Sequence, residues 1–295
     1  MDSQTLNAFI QVSEAESFSL AAERLFLTQP AVSKRVATLE DQLNCRLFDR
    51  IGRRVSLTEA GRVLLPKARH IIQSLKDAQQ QLADLSGDVS GPLHIATSHH
   101  VGLHRLPPTL RAFAQQYPQV ELHLSFMDSE KAYQAVQSTD VELALITLAP
   151  SPVTSIITQN VWHDPLAFVA SPQHPLALKN ASKQPLELHQ LLAYSAILPD
   201  LNTYTTQIVK GLFDAKGLVL NLNMSTNYLD TIKMMVSVNL GWSVLPSSLI
   251  DDSLVALDLP GIALSRELGL IYHQNRTMSN AARAFIETLN PKAVN

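Results

Sequence analysis

Residues 19–43 read SLAAERLFLTQPAVSKRVATLEDQL, and their spacing predicts two short helices on either side of a tight turn. Ser19 is the expected N-cap of the first, with Leu20, Ala22 and Leu25 facing inward; Ala22 at the third position gives no capping box. Thr28 is the expected cap of the second helix. Pro30 falls in its first turn, where a missing N–H costs nothing because those donors have no helical partner, so this helix starts near Gln29. Val32, Val36, Leu39 and Leu43 then recur at helical spacing, which sends one face into a core. The other face begins with Gln29, Pro30 and Ala31 and continues through Ser33, Lys34, Arg35 and Thr38. It is short, polar and basic. A DNA major groove admits an α-helix whose first residues reach base edges while cations meet phosphates; Gln29, Ser33 and Lys34 suit the first role and Arg35 the second. The competing reading is an ordinary amphipathic helical hairpin.

The residues that follow weigh against that alternative. Leu47–Arg50 lead through Ile51, Gly52, Arg53 and Arg54 into Val55, Ser56 and Leu57, which reads as two short strands around a tip holding glycine and paired arginines. Guanidiniums at such a wing tip suit phosphate or minor-groove contact.

The stretch from Phe9 to Gly61 resembles the winged helix-turn-helix of LysR-type transcriptional regulators. The matching pattern is F-x-x-V-x-E-x-x-S-F-S-x-A-A-x-x-L from Phe9 to Leu25, T-Q-P-A-V-S-K-R-V-x-x-L-E from Thr28 to Glu40, L-F-D-R from Leu47 and L-T-E-A-G from Leu57. Asn44 and Cys45 depart slightly from the family's usual glycine and uncharged residue.

The 295 residues suffice for two or more domains, and a hydrophobic content of 46% supplies ample core. A net charge of −3 looks wrong for a nucleic-acid binder, but the local field is what matters. Between Arg24 and Ser56, the bases Arg24, Lys34, Arg35, Arg46, Arg50, Arg53 and Arg54 face only Glu40, Asp41 and Asp49. The opening MDSQTLNAFIQVSEAES has neither a basic leader nor a long apolar run, so no export signal or membrane span is expected and the cytoplasm is the expected location. The single cysteine, Cys45, excludes an internal disulfide and a thiolate zinc site.

Leu64, Ala68, Ile71, Leu75, Ala78, Leu82 and Leu85 alternate at intervals of four and three, with polar residues between. This is a heptad seam, expected to pair with a partner helix, with small Ala68 and Ala78 permitting close approach; the alternative is a long helix packed on its own domain. Pro66 is expected to bend the helix near its start. In the resembled family this is the linker that pairs two subunits on a dyad-symmetric operator.

Ser86, Gly87, Asp88, Ser90, Gly91 and Pro92 break the helical pattern and mark a boundary. Beyond it LHIAT, a helix over 107–117, VELHLSF, a helix over 129–138 and ELALIT read as βαβαβ. Further strands are expected at 166–170, 196–198, 219–223, 243–245 and 268–273, and helices at 203–216, 228–239 and 279–289. This half is similar to the family's effector-binding domain, whose fold is that of type 2 periplasmic binding proteins, through A-F-A-Q-Q-Y-P at Ala112–Pro118, V-E-L-A-L-I at Val141–Ile146 and V-N-L-G-W-S-V-L-P at Val238–Pro246.

The resemblance implies an α/β multi-domain chain with three parts. A mainly α winged domain spans 1–58 and a linker and dimerisation helix 59–90. A two-lobed effector domain spans 91–295, with lobe I at about 91–162 and 266–295 and lobe II at about 163–265. Ligands in open α/β sheets sit at the carboxyl ends of strands near helix N-termini. By that rule Thr97, Ser98, His99 and His100, on a loop after the first strand, line one side of a cleft with Thr147, and Asn202, Thr203 and Asn227 line the other. For each of these residues the alternative is a helix cap or solvated loop position. Imidazoles at 99 and 100 can donate to a carboxylate, so a carboxylate effector is expected. His104 follows His100 by four residues, but the spacing supplies neither the further ligands nor the supporting partners a metal needs.

No G-x-S-x-G, H-E-x-x-H, P-loop or G-x-G-x-x-G occurs, so no enzyme, metal or cofactor is expected. The expected partners are double-stranded promoter DNA, a small-molecule effector, a second copy through the linker helix, a homotetramer as in the resembled family, and RNA polymerase. The alternatives from other classes are a solute-binding protein and an architectural DNA-binding protein.

Overall fold

A computed structural model describes residues 1–51, 54–84, 87–151, 153–182, 185–220 and 222–289. The chain divides into two compact units, one built on Met1–Val89 and the other on Ser90–Gln137 and Val141–Arg276.

In the first unit, α1 (Ser3–Ala15), α2 (Phe18–Arg24) and α3 (Gln29–Leu43) close around a core of Leu6, Phe9, Val12, Ala21, Val32, Val36 and Leu39. The cap of α2 is Ser17, whose side chain accepts from the Leu20 N–H, and not Ser19 as its position suggested. That two-residue shift turns Phe18, Ala21 and Ala22 inward and leaves Leu20 half exposed. The start of α3 is as expected, although Thr28 makes no side-chain cap bond. Asn44 closes α3 in the left-handed region at φ 49°, a conformation asparagine adopts more readily than most residues and glycine most readily of all.

The hairpin β1 (Phe48–Ile51) and β2 (Arg54–Leu57) pairs Phe48 with Leu57. The tip arginine at 53 lies outside the described residues, and of Arg54 the backbone alone is described. Next, α4 (Glu59–Asp84) continues unbroken through Pro66. The glycine of the L-T-E-A-G motif has a steric reason: a Cβ on Gly61 would sit 2.3 Å from the Leu47 carbonyl oxygen.

The seam of α4 serves two purposes along its length. Its first half packs at home, Ala68 fully buried with Leu64 and Ile71 beside it. The second half does not: Leu75 is 49% exposed and Leu82 70%. Leu85 lies outside the described residues.

The second unit starts with β3 (Gly91–Thr97), α5 (His99–His104), α6 (Pro107–Gln116), β4 (Val120–Phe126), α7 (Ser129–Gln137) and β5 (Leu143–Thr147). Then β6 (Ile156–Ala170), α8 (Pro175–Ala181), β7 (Ala196–Leu198), α9 (Tyr204–Ala215), β8 (Leu222–Ser225), α10 (Leu229–Ser237), β9 (Trp242–Pro246), β10 (Val255–Ala256), β11 (Leu264–His273) and α11 (Asn280–Leu289) follow. Among the described residues these strands form a sheet in the order β4-β3-β5-β11-β6-β9-β7-β8, with β10 on β6.

At one end β3 pairs in parallel with β4 and β5; at the other β7 pairs in parallel with β8 and β9. Between them β6 and β11 run antiparallel from Leu264 opposite Leu166 to His273 opposite Ile156, so two long strands cross from one lobe to the other. Lobe II is centred on Trp242, which stacks on Phe213 at 6.0 Å and donates from Nε1 to the Leu191 carbonyl at 2.9 Å. Gly241 before it is required by contact, since a Cβ there would lie 2.2 Å from the Ser195 oxygen.

Several expectations change. The segment after β3 is a short helix, α5, rather than a loop. The strand expected at 166–170 belongs to a strand of 15 residues that begins at Ile156. The strand expected at 219–223 lies at Leu222–Ser225.

Candidate functional site

On α3, Gln29, Pro30, Lys34 and Thr38 are exposed while Ala31, Ser33 and Arg35 are half-buried. Local bonds order this face: the Gln29 amide donates to Ser33 Oγ at 3.4 Å, and the Thr38 hydroxyl donates to the Lys34 carbonyl at 2.9 Å. Arg35 departs from the group, since its guanidinium donates to Gln4 Oε1 of α1 at 3.0 Å.

The helix is fixed to the hairpin by a residue whose role its place in the sequence did not reveal. Glu40, 4% exposed, accepts from the Leu47 and Phe48 N–H groups at 2.7 and 3.3 Å through Oε1 and from Arg46 at 3.1 Å through Oε2. A buried carboxylate held by two amides and a guanidinium sets the angle at which β1 leaves α3. Ser33, Lys34, Arg46 and Asp49 line a concavity between the two.

In the second unit a small cavity of about 50 Å³ opens between the lobes. Of the residues expected there, Ser98, His99, His100, Thr147, Thr203 and Asn227 line it. Thr97 and Asn202 do not. Thr97 is fully buried, its hydroxyl donating to the Leu145 carbonyl at 2.9 Å, and Asn202 is exposed with its carbonyl accepting from Gln207 at 3.3 Å. Thr203 caps α9 by accepting from the Thr206 N–H, and Asn227 Oδ1 accepts from the Asp200 N–H at 3.0 Å.

The floor comes from the two crossing strands. Asp164 on β6 and Arg266 on β11 face each other in register, both buried, with Arg266 Nε donating to Asp164 Oδ2 at 2.8 Å. Arg105 donates to the other oxygen at 2.9 Å, and Arg266 Nη1 donates to Thr205 Oγ at 2.7 Å. His100 Nε2 lies 3.7 Å from Asp164, beyond hydrogen bonding, and its two ring nitrogens are buried without a partner among the described residues.

Burial alone would push the Asp164 carboxyl up, yet the Arg266 guanidinium bonded to it holds it well below the ordinary carboxylate range. Burial, aided by Arg266, holds His100 below its ordinary value of 6.5, so the ring is neutral at pH 7. Besides His100, two polar groups of the wall keep unused bonding capacity: Arg266 Nη2 and Ser98 Oγ are buried with no partner among the described residues.

Opposite the floor, Glu130 at the start of α7 accepts from the Tyr204 N–H at the start of α9 at 2.7 Å. Burial raises its carboxyl above the ordinary range, and the Tyr204 phenol is pushed up to about 12 by burial and by Glu130. Aromatic contacts cross at the same place: Tyr133 meets Tyr204 edge-on at 5.7 Å, and His99 meets Tyr228 at 4.6 Å. His104 lies 3.5 Å from Asp230, so the histidines at 99 and 104 turn to different partners. Among the described residues no group of three or more His, Cys, Asp or Glu side chains could hold a metal ion, and no helix is long and apolar enough to cross a membrane.

Asp164, Arg266, Glu130 and Tyr204 were not expected from the sequence. Asp164 lies just before the strand expected at 166–170, and nothing in the chain points from residue 164 to residue 266. The available signal was a charge, Arg266, next to the apolar run that follows it.

Two family models match the chain: "Bacterial regulatory helix-turn-helix protein, lysR family" over residues 3–62 and "LysR substrate binding domain" over residues 86–293. A relative from Azotobacter vinelandii, described as an HTH-type transcriptional regulator in an ibpB-leuC intergenic region, is 66% identical over 108 residues, covering 37% of this chain and 75% of its own. The RuBisCO operon transcriptional regulator of Allochromatium vinosum is 32% identical over 287 residues, covering 96% of this chain and 93% of its own. Among solved structures, full-length CbnR complexed with its target DNA shares the fold, with a TM-score of 0.68 at 20% identity over 99% of both chains. A winged helix-turn-helix followed by a two-lobed domain, matched by both family models, makes this chain a member of the LysR family, a DNA-binding transcriptional regulator with an effector-binding domain.

Proposed function

We propose that the chain regulates transcription from the cytoplasm as a homodimer, assembling to a homotetramer, that holds paired winged domains on promoter DNA. The winged domain is 1–58, the linker 59–90 and the effector domain 91–295. Gln29, Pro30, Ala31, Ser33, Lys34 and Thr38 enter the major groove, while Arg35 and the wing arginines Arg53 and Arg54 meet phosphates. Arg35 would leave Gln4 to do so. Pairing runs through the second half of α4, a reading supported by the exposure of Leu75 and Leu82 on an otherwise regular seam.

A small-molecule effector occupies the cleft, touching Ser98, His99, His100, Thr147, Thr203 and Asn227, with Thr97 and Asn202 supporting the loops from behind. The observation that carries this reading is a cavity walled by both lobes whose floor holds a buried guanidinium with an unused N–H. Occupancy would alter the angle between the lobes, and through it the spacing of the DNA-binding pairs, the bend in the promoter and contact with RNA polymerase.

An effector shifts DNA binding only through unequal affinity for two states, so footprinting on the chain's own upstream region with and without a cell metabolite extract is the test. A footprint that changes length or bend with extract is expected. A footprint indifferent to extract would remove the effector reading; no preference for any genomic fragment over random competitor would remove the DNA reading.

A further inference from the structure

We infer that the cleft takes a small zwitterion, a molecule carrying both a protonated amine and a carboxylate, with Arg266 and Ser98 meeting the carboxylate and Glu130 meeting the amine. This rests on the cleft being the effector site and names the class of ligand it selects.

Two opposite kinds of unused bonding capacity face the same cavity. On the donor side, Arg266 gives Nε to Asp164 and Nη1 to Thr205 and keeps Nη2, while the Ser98 hydroxyl is buried beside the same space; among the described residues neither has a partner. Arg105 and Arg266 share one carboxylate, Asp164, and His100 is neutral, so the floor carries one positive charge in excess. Such a floor accepts one anionic group.

On the acceptor side, Glu130 lines the cavity half-buried and commits one oxygen to the Tyr204 N–H; among the described residues no cation pairs with it. The adjacent Asp128 differs, since Lys131 lies 3.4 Å from it. A ligand with carboxylates alone would set a second negative charge against Glu130, and a neutral one would leave both charged groups uncompensated; each costs more than pairing both.

Both poles are tied to the same helix. Glu130 is held by the backbone of Tyr204 and Arg266 by the side chain of Thr205, consecutive residues at the first turn of α9. An α-amino acid, with amine and carboxylate on one carbon, is the simplest ligand of this class.

The test is calorimetric titration of the full-length protein with the standard L-amino acids. For each that binds, the 2-hydroxy acid with the same side chain and the amino acid amide are titrated in turn. At least one amino acid should bind, and replacing its amine by hydroxyl or its carboxylate by amide should weaken binding by about tenfold or more. Glu130→Gln should erase the preference for the amine, and Ser98→Ala should weaken amino acid and hydroxy acid alike; both variants keep wild-type unfolding cooperativity because neither empties the core.

Equal affinity for the hydroxy acid, an unchanged preference in Glu130→Gln, or no binding by any amino acid would overturn the inference. If a ligand without an amine binds and moves the DNA footprint, the zwitterion fails while the cleft reading stands. A footprint indifferent to the whole metabolite extract would remove both.

Discussion

The outer face of α3 and the floor of the cleft both present polar groups, by opposite means. Gln29, Ser33, Lys34 and Thr38 come from one helix, stay at the surface and touch little beyond their neighbours one turn away. Arg105, Asp164 and Arg266 come from positions 59 and 102 residues apart and meet in ion pairs, Asp164 and Arg266 buried and Arg105 half-buried. The first arrangement can change without disturbing the fold. The second holds the crossing strands in register, so its chemistry and its stability are the same interaction.

The most severe way to break that contrast is Asp164→Ala. It strands a buried Arg266 and should cost the second unit about 3–5 kcal/mol, read as a lowered denaturant midpoint for that unit with the winged domain's transition unmoved. A loss under about 1 kcal/mol would mean the pair is not integral to the fold.

Ser33→Ala should show the reverse. Stability changes by less than about 0.5 kcal/mol, while discrimination at the contacted base pair falls by about 1–3 kcal/mol, measured as relative affinity across a library of operator variants. Between the two lies Glu40→Ala, which leaves the Leu47 and Phe48 amides without their acceptor. It should cost the winged domain about 2 kcal/mol in thermal unfolding and weaken DNA binding at every sequence, since the wing loses its fixed angle.

The smallest expected effect is a pH response confined to the cleft. Because His100 is held below its ordinary 6.5, the stability it contributes is complete above pH 6.5 and is lost as pH falls toward the lower folded value, where the unfolded chain binds the proton first. Between pH 7 and 5.5 wild type should lose stability faster than His100→Gln, by at most about 1.4 kcal/mol per pH unit. Parallel pH profiles would remove His100 from the buried network.

The same contrast explains what could be read in advance. The bounds of α3 were legible because Thr28, Pro30 and the Val32–Val36–Leu39 stripe act within a turn or two of themselves. The second half of the α4 seam announced its need for cover, but the division between Ile71 and Leu75, from a face packed at home to a face left open, depends on where α1 passes. The short α5 was illegible since His99, His100, Val101 and Gly102 carry no periodicity. The length of β6 was illegible for a related reason: His163 and Asp164 lie just before the expected strand and find their partners only when Glu267 and Arg266 lie opposite.

By itself the sequence determined the winged helix-turn-helix, the long helix after it, most of the α and β elements in the second half and the regulator family, because caps, prolines and apolar periods are local causes. The tertiary structure alone decided which polar residues line the cleft, setting aside Thr97 and Asn202 and bringing in Glu130 and Arg266, the latter held by Asp164. The physical reason is that a charge can be buried only where a distant partner meets it, and that partner is chosen by strand register across the sheet rather than by spacing along the chain.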